Sequence, residues 1–73
     1  MYVRVFYNNT LIHDLDKKRF RVFQASCPQE IYNSAYIYGT PYNNNLGWFR
    51  VDGTPVRLAD VPKEIQLLNL LLN

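Results

Sequence analysis

Asp60-Val-Pro-Lys-Glu-Ile-Gln-Leu-Leu-Asn-Leu-Leu-Leu-Asn73 is the stretch on which the reading of the fold turns. It begins with helix-start chemistry. Asp60 is a residue type that caps helix N-termini, and Pro62 falls in the first turn, where a missing N–H costs nothing. From Ile65 on, only Gln66, Asn69 and Asn73 are polar. At about 100° per residue these three share one narrow stripe, and leucine and isoleucine fill the rest of the circumference. Ile65, Leu68 and Leu72 form one apolar stripe; Leu67, Leu70 and Leu71 occupy most of the remainder. One stripe must cover a sheet. The other is expected to meet a partner, since monomers seldom expose a contiguous patch of several leucines.

Just upstream, Trp48 to Leu58 reads as a β-hairpin around Asp52-Gly53, a dipeptide suited to a type I′ turn. In that register Phe49 opposes Val56 and Val51 opposes Thr54, giving an apolar face for the helix. The other face gathers Trp48, Arg50, Pro55 and Arg57, which would make an exposed cation–π patch of the kind enriched at interface hot spots. Pro55 has no N–H to give a neighbour, so its strand belongs at an edge. Tyr42 to Leu46 is a loop by composition.

Further upstream, Ser26-Cys-Pro-Gln-Glu30 has the spacing of a helix start, and Ile31, Ala35 and Tyr38 recur at helical intervals with Gly39 to close. A helix over 28–38 is expected, with a strand over Ala35 to Tyr38 as the rival reading. Arg19 to Ala25 alternates like a strand, after a polar turn over Asp14 to Lys18. Residues 2–13 read as a hairpin closed by Asn8-Asn9, with Tyr7 facing Thr10, Val5 facing Ile12 and Arg4 facing His13. Both faces of this hairpin carry apolar side chains, so the pattern does not disclose which is core. The fold expected is α+β: a small antiparallel sheet of four or five strands, including two hairpins, packed by a C-terminal helix in a single domain spanning residues 1–73.

Composition narrows the chemistry. With 48% apolar and 19% charged residues the chain is globular, well away from disorder. A core of 73 residues supports only a few kcal/mol, so a staple or a partner is expected. Cys27 stands alone and cannot form an internal disulfide; with His13 as the single histidine, a structural zinc site is not expected either. Oligomerisation or docking on another protein is the stabiliser that remains. The longest apolar run is far below the roughly 20 residues a bilayer span requires, and Met1 leads straight into a strand-like run. No membrane association is expected, and the expected compartment is the cytoplasm.

An enzyme is not expected. His13 and Asp14 are adjacent on a strand and point to opposite faces, so they do not form an acid–base pair. Cys27 precedes a helix start but has no placed base. No phosphate loop or paired-carboxylate arrangement is present, and no cofactor is implied. Lys17, Lys18, Arg19 and Arg21 form the one basic cluster, interleaved with Phe20 and Phe23. A strand of this kind can track phosphates and stack bases, but Asp14 and Asp16 beside it and a net charge of only +2 weaken the field. Nucleic-acid binding through Lys17, Lys18, Arg19, Arg21 and Phe23 therefore stands as an alternative, as does an oligomeric sponge that traps a nucleotide between aromatic rings and arginines.

The chain is small and cysteine-poor, rich in asparagine and tyrosine, and carries Trp48–Arg50, Asp52-Gly-Thr-Pro55 and Asp60-Val-Pro-Lys-Glu64. In overall character it resembles the small accessory proteins that tailed bacteriophages direct against their hosts. That resemblance implies an inhibitor of a host protein, working in the host cytoplasm; it carries over no functional residue. The leading expectation is a non-enzymatic module that binds another protein, or itself as a homo-oligomer, through Trp48, Arg50, Arg57, Leu67, Leu70 and Leu71.

Overall fold

Asn8 and Asn9 both adopt the left-handed conformation, with φ of 54° and 57°, and turn the chain back on itself. The computed structural model describes residues 2–73, and this turn joins its first two strands, β1 (Tyr2–Tyr7) and β2 (Thr10–Asp16). Tyr7 pairs with Thr10 as expected. Beyond Phe6 the register slips by one residue, so that Val5 faces His13 and Arg4 faces Asp14, not Ile12 and His13. The slip is a β-bulge at Ile12. It brings Ile12 and His13 to the same side of the sheet, where Ile12 packs on the core cluster that includes Val3 and Val5 and the His13 ring lies tilted against Phe23 at 4.8 Å.

The third segment corrects the sequence reading. Lys17–Ala25 is not a strand but a helix, α1. Asp16 caps it, its carboxylate accepting from the Arg19 N–H at 2.8 Å. Phe20 and Phe23, three apart, then fall on the buried side, and Phe20 is fully enclosed. Ser26 ends this helix, donating from Oγ to the Val22 carbonyl at 3.1 Å; it does not start the next one. The expected helix over 28–38 divides. Gln29–Ser34 forms the short helix α2, capped by Pro28, and Tyr36–Gly39 forms strand β3, so the rival strand reading holds for the second half.

Strand β3 inserts against β1, and β4 (Gly47–Phe49) and β5 (Pro55–Val56) complete an antiparallel sheet in the order β2-β1-β3-β4-β5. Gly39 ends β3 at φ +142°, where an added Cβ would lie 2.8 Å from the Tyr2 carbonyl oxygen. Pro55 sits on an edge strand, as its missing N–H requires. The turn before it differs from expectation. Trp48 faces Val56 and Phe49 faces Pro55, one residue out of the expected register. The Gly53 N–H bonds to the Arg50 carbonyl at 3.0 Å with Gly53 at φ +94°, and the Arg50 N–H bonds to the Thr54 carbonyl at 2.8 Å. These bonds close a three-residue loop, a type I turn with a glycine bulge, in place of a two-residue type I′ turn. Asp52 Oδ1 accepts the Thr54 N–H at 2.9 Å, which favours the wider loop.

Both sheet faces are core, which explains the two-sided pattern of the first hairpin. On one face Val3, Val5, Ile37, Phe49 and Val51 pack with Phe20 and Ala35 beneath α1 and α2. On the other, Phe6 and Trp48 pack with Val61 and Ile65 beneath the last helix, α3 (Lys63–Leu71). That helix was expected to rest on Phe49, Val51 and Val56. Of these only Val56 meets it: Phe49 and Val51 pack on the other face, and α3 rests on Phe6 and Trp48, with Val56 brought to their side by the shifted register of the second hairpin. The result is an α/β/α sandwich of small area, consistent with the α+β class.

Candidate protein-docking face

Helix α3 does not start on Asp60. Leu58–Asp60 is a single 3₁₀ turn, and the Asp60 carboxylate is taken by Arg57 Nε at 2.8 Å. Pro62 becomes the cap residue; its carbonyl accepts the N–H groups of Ile65 and Gln66, each at 3.0 Å. This start sets the rotation of the whole helix. Ile65 points into the sheet and is 3% exposed, and Leu68 packs beside it.

The polar stripe follows them inward. Gln66 Nε2 donates to the carbonyls of Leu58 and Val61, both at 2.9 Å. Asn69 is 4% exposed, and its Oδ1 accepts from Arg4 Nη1 at 2.6 Å. The same guanidinium reaches Asn73 Oδ1 at 2.7 Å, the Asn69 carbonyl at 3.2 Å and the Leu72 carbonyl at 3.1 Å. Arg4, in the middle of β1, thus supplies the cation and donors that the last turn of α3 lacks; that turn has no basic residue of its own. Two amides and one arginine hold the helix down.

The cost of this arrangement appears on the other side. With its polar stripe spent inward, α3 presents Leu67, Leu70 and Leu71 to solvent at 59%, 66% and 75% exposure. Leu58, on the neighbouring 3₁₀ turn, is 60% exposed. Between Leu58 and Leu70 runs a groove of about 270 Å³, walled by Tyr38 and Trp48 with Gln66 and Asn69 along the helix side. A ridge of leucines and an apolar-walled groove therefore lie side by side. From Ile65 to Asn73 there is no charged residue.

The other expected contact residues are placed differently. Trp48 is not an exposed platform. It is 8% exposed and stacks against Tyr38 and Phe6, with ring centroids 4.8 and 5.7 Å away, so it forms the wall of the groove and not the rim. Arg50 does not stack on it. Its guanidinium lies 4.3 Å over the Tyr36 ring and reaches the Ala35 carbonyl at 3.4 Å. Arg57 is exposed and engaged with Asp60. Leu58 went unnoticed in the sequence, although a lone leucine between Arg57 and Ala59 just before a helix start is a signal of a protruding turn.

The basic cluster is broken up by its helical geometry. Lys17, Lys18 and Arg19 occupy the first turn of α1 next to the Asp16 carboxylate, and Lys17 Nζ donates to the Asn43 carbonyl at 3.1 Å. Arg21 stacks on Tyr42 at 5.0 Å. Phe23 packs against the core and beneath His13, and is not a free stacking ring. A second groove joins Tyr2, Arg4, Asp14, Tyr38, Leu46 and Asn73, but the two terminal nitrogens of Arg4 are already committed to α3. Cys27 is half-buried, and burial pushes its thiol up from the ordinary value, away from the reactive thiolate.

Among the described residues no group of three or more His, Cys, Asp or Glu side chains converges on a metal position, and no helix is long and apolar enough to cross a membrane. No protein-family model, curated protein or solved structure matches this chain.

Proposed function

We propose that this protein is a non-enzymatic protein-binding module whose contact surface is the outward face of α3 together with Leu58 and the groove beside it. The observation that carries the reading is the orientation of the helix. Its amides Gln66 and Asn69 are turned in and satisfied, while Leu67, Leu70 and Leu71 are turned out. Leaving leucines exposed costs free energy in water, and burying one fully returns about 1.5–3 kcal/mol. Trp48 and Tyr38 offer aromatic walls for an inserted side chain, which is the usual make-up of a binding hot spot. Arg50 and Arg57 act outside this centre, Arg57 at the rim, where charges orient a partner more than they tighten it. The resemblance to phage accessory proteins extends the reading to inhibition, by covering a surface that a host protein needs.

The reading is tested with immobilised wild type beside Leu67→Asp and Leu70→Asp. The wild type is expected to retain a protein, another copy or a different chain, that both variants lose while keeping the native circular dichroism spectrum. Retention by both folded variants, or no association of any kind, overturns it.

A further inference from the structure

We infer that α3 is a hinged latch: it swings away from the sheet about Pro62 while the sheet, α1 and α2 stay folded, and Arg4 is the catch that holds it shut. The inference stands whatever α3 binds.

The distribution of buried groups is what permits the motion. Val3, Val5, Phe20, Ala35, Ile37, Phe49 and Val51 form the cluster under α1 and α2, and neither they nor the half-buried side chains packed around them belong to α3. That core is complete without the helix. On the other face α3 supplies one buried apolar residue, Ile65, with Leu68 half-buried beside it. Its other buried residue is Asn69. Leu72 and Asn73, which follow it, are exposed, so no further buried group has to move with it. A segment with so little to withdraw opens at a lower free energy than the sheet beneath it.

The polar hold is concentrated in one side chain. Among the described residues, the hydrogen bonds that tie α3 and the two residues after it to the sheet all come from Arg4, which reaches Asn69, Leu72 and Asn73. Gln66 bonds only to Leu58 and Val61, on the turn that precedes the helix. Arg4 also has an alternative. Asp14 lies directly across from it on β2, and among the described residues no hydrogen bond or ion pair takes its carboxylate. When α3 leaves, the guanidinium turns to Asp14, and a surface ion pair offsets part of the bonds lost.

The joint is Pro62. It has no N–H to tie it to the turn before, and its ring fixes φ, so the swing falls on ψ. Val61, 2% exposed, pins the chain in the core on one side of the joint. On the other side the Pro62 carbonyl bonds to Ile65 and Gln66, so the helix moves as a unit. The open form presents Phe6, Tyr38 and Trp48 to solvent.

Amide hydrogen exchange tests the latch. In native buffer the amides of Leu68 to Leu71 should exchange at least about tenfold faster than those of β1 and β3, at rates that climb in low urea because undocking exposes surface. Equal protection of helix and sheet overturns the inference, and so does fast helix exchange indifferent to urea, which is fraying alone. Arg4→Met should speed the α3 amides by about ten- to a hundredfold. Asp14→Asn, which removes the partner of the open form, should slow them by about two- to fivefold. No change in either variant, or faster exchange in Asp14→Asn, overturns the role of Arg4 as the catch. Ile65→Asp should force the latch open, leaving β1 and β3 amides protected and the Trp48 fluorescence accessible to acrylamide. If Ile65→Asp unfolds throughout, the sheet does not stand without α3 and the latch is overturned.

Discussion

Arg4 carries more of the structure than its half-exposed position on a strand suggests. Its guanidinium satisfies the buried Asn69 side chain and two carbonyls of the last turn of α3. Hydrogen bonds to a charged partner contribute about 1.5–3 kcal/mol, and removing one side leaves a buried acceptor unpaired. Arg4→Met should therefore destabilise the chain by about 2–3 kcal/mol in urea unfolding. Arg4→Lys should recover only part of this, since the donors of an ammonium radiate from one nitrogen and cannot span acceptors that Nη1 and Nη2 reach separately. Tyr42 is the residue to follow with pH. Burial pushes its phenol up to about 12 from the ordinary 10.0, while Arg21 pulls the other way. The hydroxyl donates to the Val51 carbonyl at 2.5 Å and accepts from Gln24 Nε2 at 3.2 Å, a set that requires the neutral form. Below pH 10 both folded and unfolded chains keep the proton, and the contribution is complete. Between pH 10 and about 12 the unfolded chain releases it first, so stability falls as pH rises. Tyr7, raised chiefly by its hydrogen bond to Glu30, adds in the same direction. The urea midpoint of the wild type should decline across this window more steeply than that of Tyr42→Phe.

Elements differ in how openly the sequence declares them. The Asn8-Asn9 hairpin and the edge position of Pro55 follow from local chemistry, and both are present; of the stripe Ile65, Leu68 and Leu72, the first two pack against the sheet and Leu72, in the cap position, is 41% exposed. Helix α1 is less open. Phe20, Val22 and Phe23 have strand propensity, and alternation over seven residues imitates a half-buried strand. What decides it is Asp16, which caps the first turn, and the three-residue interval between two phenylalanines. Asp16→Ala should cost about 1 kcal/mol and lower helical ellipticity in proportion to the nine residues it starts. The hairpin registers were hidden for a different reason. A bulge at Ile12 and a three-residue loop at Asp52 each shift pairing by one residue, and in a sheet one residue moves a side chain to the other face. Trp48 was placed on an exposed face for another reason: one covered face was expected, whereas both are covered and Trp48 lies under α3. The outward position of Leu67, Leu70 and Leu71 was legible because it depends on helical spacing alone. The clamp of Arg4 on Asn69 could not be read, since no local pattern links residues 65 positions apart.

Across the whole molecule, both faces of the sheet are covered by helices. The radius of gyration is 11.0 Å, matching the ~11 Å of a fully compact chain of this length. Leu67, Leu70 and Leu71 are outside because α3 turns Ile65 and Asn69 toward the sheet, and not because the chain is loosely packed. Two leucine-to-alanine and phenylalanine-to-alanine measurements separate the roles. Phe20→Ala, at a fully enclosed site, should cost about 3–5 kcal/mol and leave little folded protein. Leu71→Ala, 75% exposed, should change the stability of the isolated chain by no more than about 0.5 kcal/mol, with its whole effect appearing in association.

The hold of β1 on α3 also has a meaning in time. A ribosome makes Arg4 and Phe6 early and Val61, Ile65 and Asn69 at the far end of this stretch. Until those last residues emerge, one entire face of the sheet, with Phe6 and Trp48 on it, has nothing to lie against, whereas α1 and α2 can already cover the other. The nascent chain must pass through a half-dressed stage in which an aromatic surface is open to solvent or to a chaperone. A chain stopped after Asp60 would hold that stage in place, and it should bind a hydrophobic dye strongly where the 73-residue chain binds it only through its leucines.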